Sequence, residues 1–207
     1  MPTAAGHHAG YDEFVDMIHE LCRQPGIRKK LSTGRGRPIE ECALMHSYLR
    51  RTIRRPGRRA FYTTASLIAL ADPTCHDADD PGPHAPTPGP VPTVGTASAA
   101  PPDSTGPVAV QPWFSRPNLG ATLATAVRNA GYSEQRTGDR LHVLNRLGDD
   151  QLHRRLPQDV TRLLRSGLTP DWAVLLNDLI QRSYHRDKVA LRWSDSFYLA
   201  LEDEPAA

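Results

Sequence analysis

Residues 58–70 read RRAFYTTASLIAL and carry apolar side chains at the spacing of an α-helix. Phe61, Ala65 and Ile68 recur every three or four residues, and further apolar residues lie between them. A helix that is apolar around most of its surface is typical of the centre of a bundle. The dipeptide Pro56-Gly57 just before it predicts a break in the chain. The stretch therefore predicts a buried, central helix.

Other segments of the sequence also carry apolar residues at the spacing of an α-helix. Two precede this helix and start near Tyr11 and Pro38, and Pro25-Gly26 is expected to end the first of them. The later segments start near Asn118, Ser133 or Thr137, Asp149 or Asp150, Thr169-Pro170-Asp171, and Asp187. Most of these residues favour the first positions of helices. Pro157 should either kink the helix that contains it or mark its true start. No segment alternates as a strand would, so the sequence predicts an all-α protein: a compact helical bundle, or bundles, of about eight helices.

A proline-rich tract divides the chain. Residues 72–112 hold eleven of the nineteen prolines and little that could pack in a core. Proline fixes φ and lacks the amide donor, so the tract predicts a long disordered central loop or linker. The expected organisation is an N-terminal helical sub-bundle with a basic face over residues 1–71, the linker over 72–112, and a C-terminal helical sub-bundle over 113–207.

Positive charge is concentrated in the first third of the chain. Residues 1–71 carry twelve Lys or Arg and six Asp or Glu, whereas the whole chain has a net charge of only +2. Such a distribution indicates a surface that meets phosphates. The alternative is that these residues are solvated helix faces, enriched by a general preference for arginine over lysine. No short base-reading helix stands out, so binding should be independent of sequence.

The basic residues form groups. Arg35 and Arg37 lie in the glycine loop GRGR, others flank Pro56-Gly57, and Arg136 and Arg140 are one helical turn apart. Guanidinium groups without matched acids contribute little to stability and are well suited to bidentate phosphate contacts.

Two pairs of residues have the spacing of zinc ligands: His19 with Cys22, and Cys42 with His46. The alternative is that both cysteines pack in the core on neighbouring helices while the histidines lie at the surface. Such pairs arise readily in amphipathic helices. We favour the second interpretation and predict neither metal nor cofactor.

Enzyme motifs are missing from the sequence. There is no Gly-x-Ser-x-Gly turn, and GRGR lacks the flanking strand and the Lys-Ser/Thr ending of a phosphate loop. The prediction is a protein that is not an enzyme. Three cysteines, the lack of an apparent export signal and the lack of a long apolar segment favour a cytoplasmic protein that does not cross a membrane.

Several aromatic residues fall at helical spacing near the end of the sequence. Core packing is a better explanation for them than stacking on bases. They are Trp172, Trp193, Phe197 and Tyr198. Trp113 and Phe114 follow the linker and are freer to anchor its end or to contact a partner.

The order of several motifs resembles the CasB family. The first half contributes GRGRPIEECALMHSYL (34–49) and RRAFYTTASLIAL (58–70). The second half contributes NLG (118–120), DRLHVLNRL (139–147), LHRRLPQDVTRLL (152–164), TPDWAVLLNDL (169–179) and RWSDSFY (192–198). Together they extend over about 150 residues outside the linker.

This resemblance implies a non-catalytic, all-helical small subunit of the type I-E CRISPR surveillance complex, Cascade, which serves antiviral defence. Such a subunit is present as a pair and supports the guide RNA–target DNA duplex and the displaced strand. The implied partners are crRNA, target and non-target DNA, the backbone and large subunits, and a second copy of the chain, with no membrane partner.

By the same likeness, eight arginines would bind nucleic acid. They are Arg35, Arg37, Arg55, Arg58, Arg59, Arg116, Arg136 and Arg140. The proline tract is longer than we expect in most family members, which leaves Arg116 as the only candidate near the central connection. A second hypothesis, from a different class, is a helical protein–protein adaptor whose arginines meet acidic partners.

Overall fold

A computed structural model describes residues 4–52, 55–71 and 112–202, with side chains from His8 onward. In these ranges the chain forms only α-helices, 3-10 turns and loops, which confirms the predicted all-α class. The eight α-helices of the described ranges are α1 (Ala4–Cys22), α2 (Pro25–Ser32), α3 (His46–Leu49), α4 (Arg58–Ala71), α5 (Leu119–Ala130), α6 (Glu134–Arg146), α7 (Asp149–Arg165) and α8 (Trp172–Glu202). The predicted linker lies outside the described residues apart from Pro112.

Helix α4 is buried at the centre of the first half, as predicted. Every residue from 60 to 69 is buried. Phe61 packs edge-on against Phe14 of α1, with ring centroids 4.9 Å apart. Thr63 Oγ1 lies 2.8 Å from Nδ1 of His153 on α7. One hydrophobic core contains residues from both halves of the chain. The division into two sub-bundles stays a prediction.

Helix α8 folds back on itself. Its backbone leaves helical dihedrals at His185, where φ is −138° and ψ is 52°. On a straight helix Asp178 and Trp193 would be about 22 Å apart along the axis, at 1.5 Å per residue. The Trp193 indole Nε1 nevertheless donates a hydrogen bond of 2.6 Å to Asp178 Oδ2. Helix α8 therefore has two arms, residues 172–184 and 186–202, that pack side by side.

The second arm of α8 lies between α5 and α6. Gly120 of α5 approaches it so closely that a β-carbon there would clash with the Trp193 carbonyl oxygen. Asn145 of α6 donates hydrogen bonds to the Ala190 carbonyl (3.1 Å) and to the Ser194 hydroxyl (2.9 Å). The glycine permits the close backbone approach, and the amide fixes the neighbouring helix. The second arm is thus enclosed on two sides.

Helix starts after the linker follow the predicted capping residues. The Asn118 side chain accepts a hydrogen bond of 3.1 Å from the Ala121 amide, and Ser133 caps α6. Asp171 Oδ1 accepts from two amides in the first turn of α8. Pro157 does not start a helix but lies inside α7, which begins at Asp149. Local side-chain chemistry therefore predicts these boundaries well.

The early part of the chain departs from the prediction. Pro25-Gly26 was expected only to end a helix, yet Pro25 starts α2, because proline is tolerated in the first turn. The segment after Pro38 is not one regular helix. It consists of 3-10 turns on either side of the short α3. Its residues at a spacing of three to four still face the core, namely Cys42, Met45 and Leu49.

The predicted core aromatics are buried with one exception. Trp172, Trp193 and Phe197 are buried, whereas Tyr198 is 54% exposed, so its assignment to the core was wrong. Its hydroxyl lies beside Gly138 of α6, where a β-carbon would be 3.5 Å away. Phe114 is almost fully exposed, as expected of a residue free to contact a partner. None of the described helices combines the length and hydropathy that crossing a bilayer requires.

Candidate nucleic-acid interface

The GRGR loop is held by its backbone and presents its arginines outward. Gly34 is buried, and a β-carbon there would lie 2.6 Å from Met45 Sδ. The Arg37 amide donates a hydrogen bond of 2.6 Å to the Gly34 carbonyl, which closes a tight turn. The side chains of Arg35 and Arg37 are exposed, and neither is paired with another side chain of the described ranges. Both cations are therefore available to an anion from solution.

Arg59 at the start of α4 connects this loop to α7. Its Nη1 forms an ion pair of 2.5 Å with Asp150 Oδ1, and its Nη2 donates a hydrogen bond of 3.1 Å to the Gly36 carbonyl. The hydrogen bond from Arg59 holds the pKa of the Asp150 carboxyl below its ordinary value. Asp150 also pairs with Arg154 Nε at 3.1 Å. The guanidinium of Arg59 is thus already occupied by protein acceptors.

A cleft of about 250 Å³ lies between α6 and α7. Its lining includes Arg136, Arg140, Arg155 and Asp159. Arg140 Nη1 lies 3.0 Å from Asp159 Oδ1, and Arg155 Nε lies 3.5 Å from Oδ2. Burial raises the pKa of the Asp159 carboxyl, while the neighbouring arginines oppose that rise. Arg136 is exposed and has no side-chain partner among the described residues. The cleft therefore carries three arginines and two acids, the buried Asp159 and the exposed Asp139.

Arg55 and Arg58 lie over aromatic rings. The Arg55 guanidinium carbon is 5.6 Å from the centroid of Phe61. That of Arg58 is 5.3 Å from Tyr62, whose hydroxyl accepts a hydrogen bond of 3.1 Å from Nη2. Stacking orders these side chains while leaving their charge unneutralised. Both can still receive a phosphate.

Arg116 joins three parts of the molecule. It forms a bidentate pair with Asp171 at the start of α8, at 2.6 and 2.8 Å. Its Nη1 contacts both carboxylate oxygens of Asp12 on α1, at 2.8 and 3.0 Å. Burial works against the charged form, but the hydrogen bonds to Asp171 and Asp12 raise the pKa of Arg116 above its ordinary value. The guanidinium also lies over the Trp113 ring, 4.8 Å from its centroid. Its geometry is that of a structural residue.

Replacement of Arg116 by alanine should lower the free energy of unfolding by about 2 kcal/mol, because two carboxylates lose their charged donor. Urea denaturation followed by circular dichroism measures this change. Arg23→Ala is the matched control, since the ion pair of Arg23 with Glu20 is exposed and lies at the end of α1. It should cost less than about 0.5 kcal/mol. Equal effects of the two substitutions would contradict the structural role of Arg116.

The eight predicted arginines fall into three classes. Arg35, Arg37 and Arg136 are exposed without side-chain partners in the described ranges, and Arg55 and Arg58 are stacked on rings. The ion-paired ones are Arg59, Arg116 and Arg140. Their role in binding nucleic acid stays a prediction.

Two arginines of α7 were missed by the sequence analysis. Arg154 and Arg155 lie on its exposed side, between the GRGR loop and the α6–α7 cleft. The signal was present in the sequence, because the pair stands between the apolar Leu152 and Leu156. That spacing turns both basic residues away from the core. Helix α7 therefore adds one arginine beside the GRGR loop and one at the α6–α7 cleft.

The described structure brings no three His, Cys, Asp or Glu side chains together as a metal site. Cys22 and Cys42 are both buried in the hydrophobic core, which confirms the core interpretation of the cysteines. His19 is exposed, and His46 Nδ1 lies 2.8 Å from the Cys42 carbonyl oxygen. The residues with zinc-ligand spacing thus have other surroundings.

The family model described as CRISPR-associated protein Cse2 (CRISPR_cse2) matches residues 28–198. The chain belongs to the Cse2 family. This family is also called CasB, so the resemblance drawn from the motifs is confirmed. No curated protein matches this Cse2 chain.

Two chains of solved structures share the fold of this Cse2 protein. One, from a structure titled "CRISPR RNA-guided surveillance complex", has a TM-score of 0.71 and 24% identity over 95% of each chain. The other, from "CRISPR RNA-guided surveillance complex, pre-nicking", has a TM-score of 0.71 and 25% identity over 94% of this chain and 95% of that chain.

Proposed function

We propose that this Cse2 chain is a non-catalytic subunit of a cytoplasmic RNA-guided CRISPR surveillance complex of the Cascade type. It binds nucleic-acid backbone without regard to sequence. By doing so it stabilises the guide RNA–target DNA hybrid and the displaced strand. Family membership and the titles of the two similar structures support the assignment to such a complex. Within it, the chain contacts other subunits and a second copy of itself.

The observation that carries this proposal is the convergence of exposed arginines on α7. The GRGR loop, with Arg35 and Arg37, packs on the backbone of α7 at His153. Farther along α7, Arg155 shares the α6–α7 cleft with Arg136. Residues far apart in sequence thus present cations along one helix. An array of this kind follows a phosphate backbone and reads no bases.

Small contributions of arginine–phosphate contacts to the binding free energy are enough for the proposed role. The exchange of a DNA duplex for a guide–target hybrid is nearly balanced in base-pair free energy. Protein contacts to the backbone therefore decide how far the exchange proceeds. Arginine suits the task, because its planar guanidinium binds two phosphate oxygens at once.

A triple variant, Arg35→Ala, Arg37→Ala and Arg136→Ala, tests the proposal. Its affinity for a fluorescent single-stranded DNA of mixed sequence should fall by about 10- to 100-fold at low salt. The slope of log affinity against log salt should decrease by about two, at about 0.7 per lost phosphate contact. Fluorescence anisotropy at several salt concentrations measures both quantities on the full chain.

The matched control replaces three other exposed cations, Arg23, Arg128 and Lys188, with alanine. It removes the same charge from other helices and should leave the salt slope nearly unchanged. Equal losses in the two triple variants would mean that net charge, and not this surface, retains DNA. If wild-type protein does not retain DNA, the adaptor hypothesis gains, and the arginines must meet acidic protein surfaces instead.

A further inference from the structure

The docking point of the GRGR loop is a gap in the hydrogen-bond ladder of α7. Pro157 lies inside that helix and has no amide hydrogen. The residue four positions before it is His153, whose carbonyl oxygen therefore lacks the usual helical donor. Gly36 lies over this oxygen, so closely that a β-carbon on Gly36 would clash with it. The loop thus covers a backbone acceptor that the helix leaves open.

Only glycine fits this position. Gly36 has φ of 72°, in the left-handed region, and Arg35 beside it has φ of 31°. A side chain at Gly36 would be strained by the backbone and blocked by α7 at the same time. The contact itself is weak, because a Cα–H group is a poor donor. Another interaction must hold the loop in this place.

Arg59 provides that interaction. It is mostly buried, with 19% of its side chain exposed, and it binds Asp150 in the first turn of α7 and the Gly36 carbonyl with the same guanidinium. The acid is favourably placed for the helix dipole and is shared with Arg154. Together these contacts fix the loop between α4 and α7. Few guanidinium donors are left to reach a phosphate.

We propose that Arg59 is a positioning residue: with Asp150 it holds the GRGR loop on the open carbonyl of α7, so that Arg35 and Arg37 are presented to the nucleic-acid backbone. We name these contacts of Arg59 with Asp150 and Gly36 the Arg59 clamp. The inference rests on the proposed function and changes the predicted role of Arg59 from contact to support. It also connects Gly36 with Pro157, since Gly36 covers the carbonyl that Pro157 leaves without a helical donor.

Asp150→Asn distinguishes a phosphate contact by Arg59 from a positioning role, because the two roles predict opposite changes in the affinity for DNA. If Arg59 contacted phosphate, removing its internal acid would free the cation and strengthen binding. In the positioning role, the same substitution loosens the loop and weakens binding of single-stranded DNA by about three- to tenfold, although net positive charge rises. Asp149→Asn is the matched control, because it makes the same charge change in the same helical turn and does not touch Arg59. The affinity of the Asp149→Asn variant for single-stranded DNA should equal that of wild type or be slightly higher.

A second readout does not depend on nucleic acid. Trypsin cleaves after arginine, and the Arg35–Gly36 bond lies in the loop that the clamp holds. Asp150→Asn and Arg59→Ala should each raise the rate of cleavage at this bond by roughly threefold or more, whereas Asp149→Asn should not. Mass spectrometry of the fragments identifies the bond, and thermal unfolding checks that each variant is folded. Unchanged cleavage in a folded variant would overturn the clamp.

The combined outcomes decide the inference. Faster cleavage together with weaker DNA binding supports it, and faster cleavage with equal or stronger binding overturns the positioning role. In a background that already carries Arg35→Ala and Arg37→Ala, Arg59→Ala should cause little further loss of affinity. A full additional loss would make Arg59 a contact after all. If wild-type protein binds no DNA, the proposed function fails, while the proteolysis result still decides whether the clamp exists.

Discussion

Replacement of Asp178 by alanine should lower the free energy of unfolding by about 3–5 kcal/mol, because it breaks a buried ion pair. Asp178 is fully buried, accepts the hydrogen bond from the Trp193 indole and pairs with Arg192. Without the carboxylate, the indole donor stays buried and unpaired, and the two arms of α8 lose their polar connection. Urea denaturation followed by circular dichroism and by tryptophan fluorescence measures the loss.

Two comparisons sharpen this experiment. Asp178→Asn keeps an acceptor for the indole but removes the charge that faces Arg192, so we expect an intermediate loss. Asp195→Ala removes an exposed acid from the second arm and should change stability by less than about 0.5 kcal/mol. A neutral Asp178→Ala variant would show that the fold-back of α8 does not depend on this carboxylate.

His153 should make the protein sensitive to mild acid. Burial lowers the pKa of His153 from 6.5 to about 4, although Asp149 opposes that change and Arg59 adds to it. The unfolded chain therefore takes up a proton near pH 6.5 that the folded protein refuses until about pH 4. The contribution of neutral His153 to the stability of the folded protein is complete above pH 6.5 and is lost as the pH falls toward 4. We expect a loss of roughly 2–3 kcal/mol over this range.

His153→Asn isolates this effect. Asparagine cannot be protonated and can still form a hydrogen bond with Thr63, the partner of His153 Nδ1. The difference in unfolding free energy between pH 7 and pH 4.5 should shrink by about 2 kcal/mol in the variant. Urea denaturation at the two pH values provides the comparison. An identical pH dependence in wild type and variant would assign the acid sensitivity to other groups.

Local features of the sequence predicted much of the fold. The capping residues Asn118 and Ser133 act over three residues, and the apolar face of α4 repeats with the period of one helix. Each can be recognised from neighbouring residues alone. The helix start predicted near Asp187 agrees with the break at His185, but the fold-back of the second arm could not be predicted from neighbouring residues. It depends on Asp178 and Trp193, which meet only after the chain has turned back.

The candidate site was predictable in residue type but not in pairing. Arginine composition and the resemblance to the family pointed to the GRGR loop, the start of α4 and helix α6, whose role in binding nucleic acid stays a prediction. Neither could show that Arg116 meets an acid 55 residues away, or that Arg59 meets one 91 residues away. Such pairs form only when distant helices pack. Conversely, Arg154 and Arg155 join the basic surface because α7 lies between the loop and α6, a relation that exists only in three dimensions.

The enclosed second arm of α8 has a consequence for biosynthesis. A ribosome makes α5 and α6 before it makes residues 186–202, the element that both of them enclose. Until that element emerges, the nascent chain exposes the apolar surfaces that will later cover Trp193 and Phe197. Such surfaces attract chaperones and invite aggregation. Synthesis next to a partner that shields them would raise the yield of native protein.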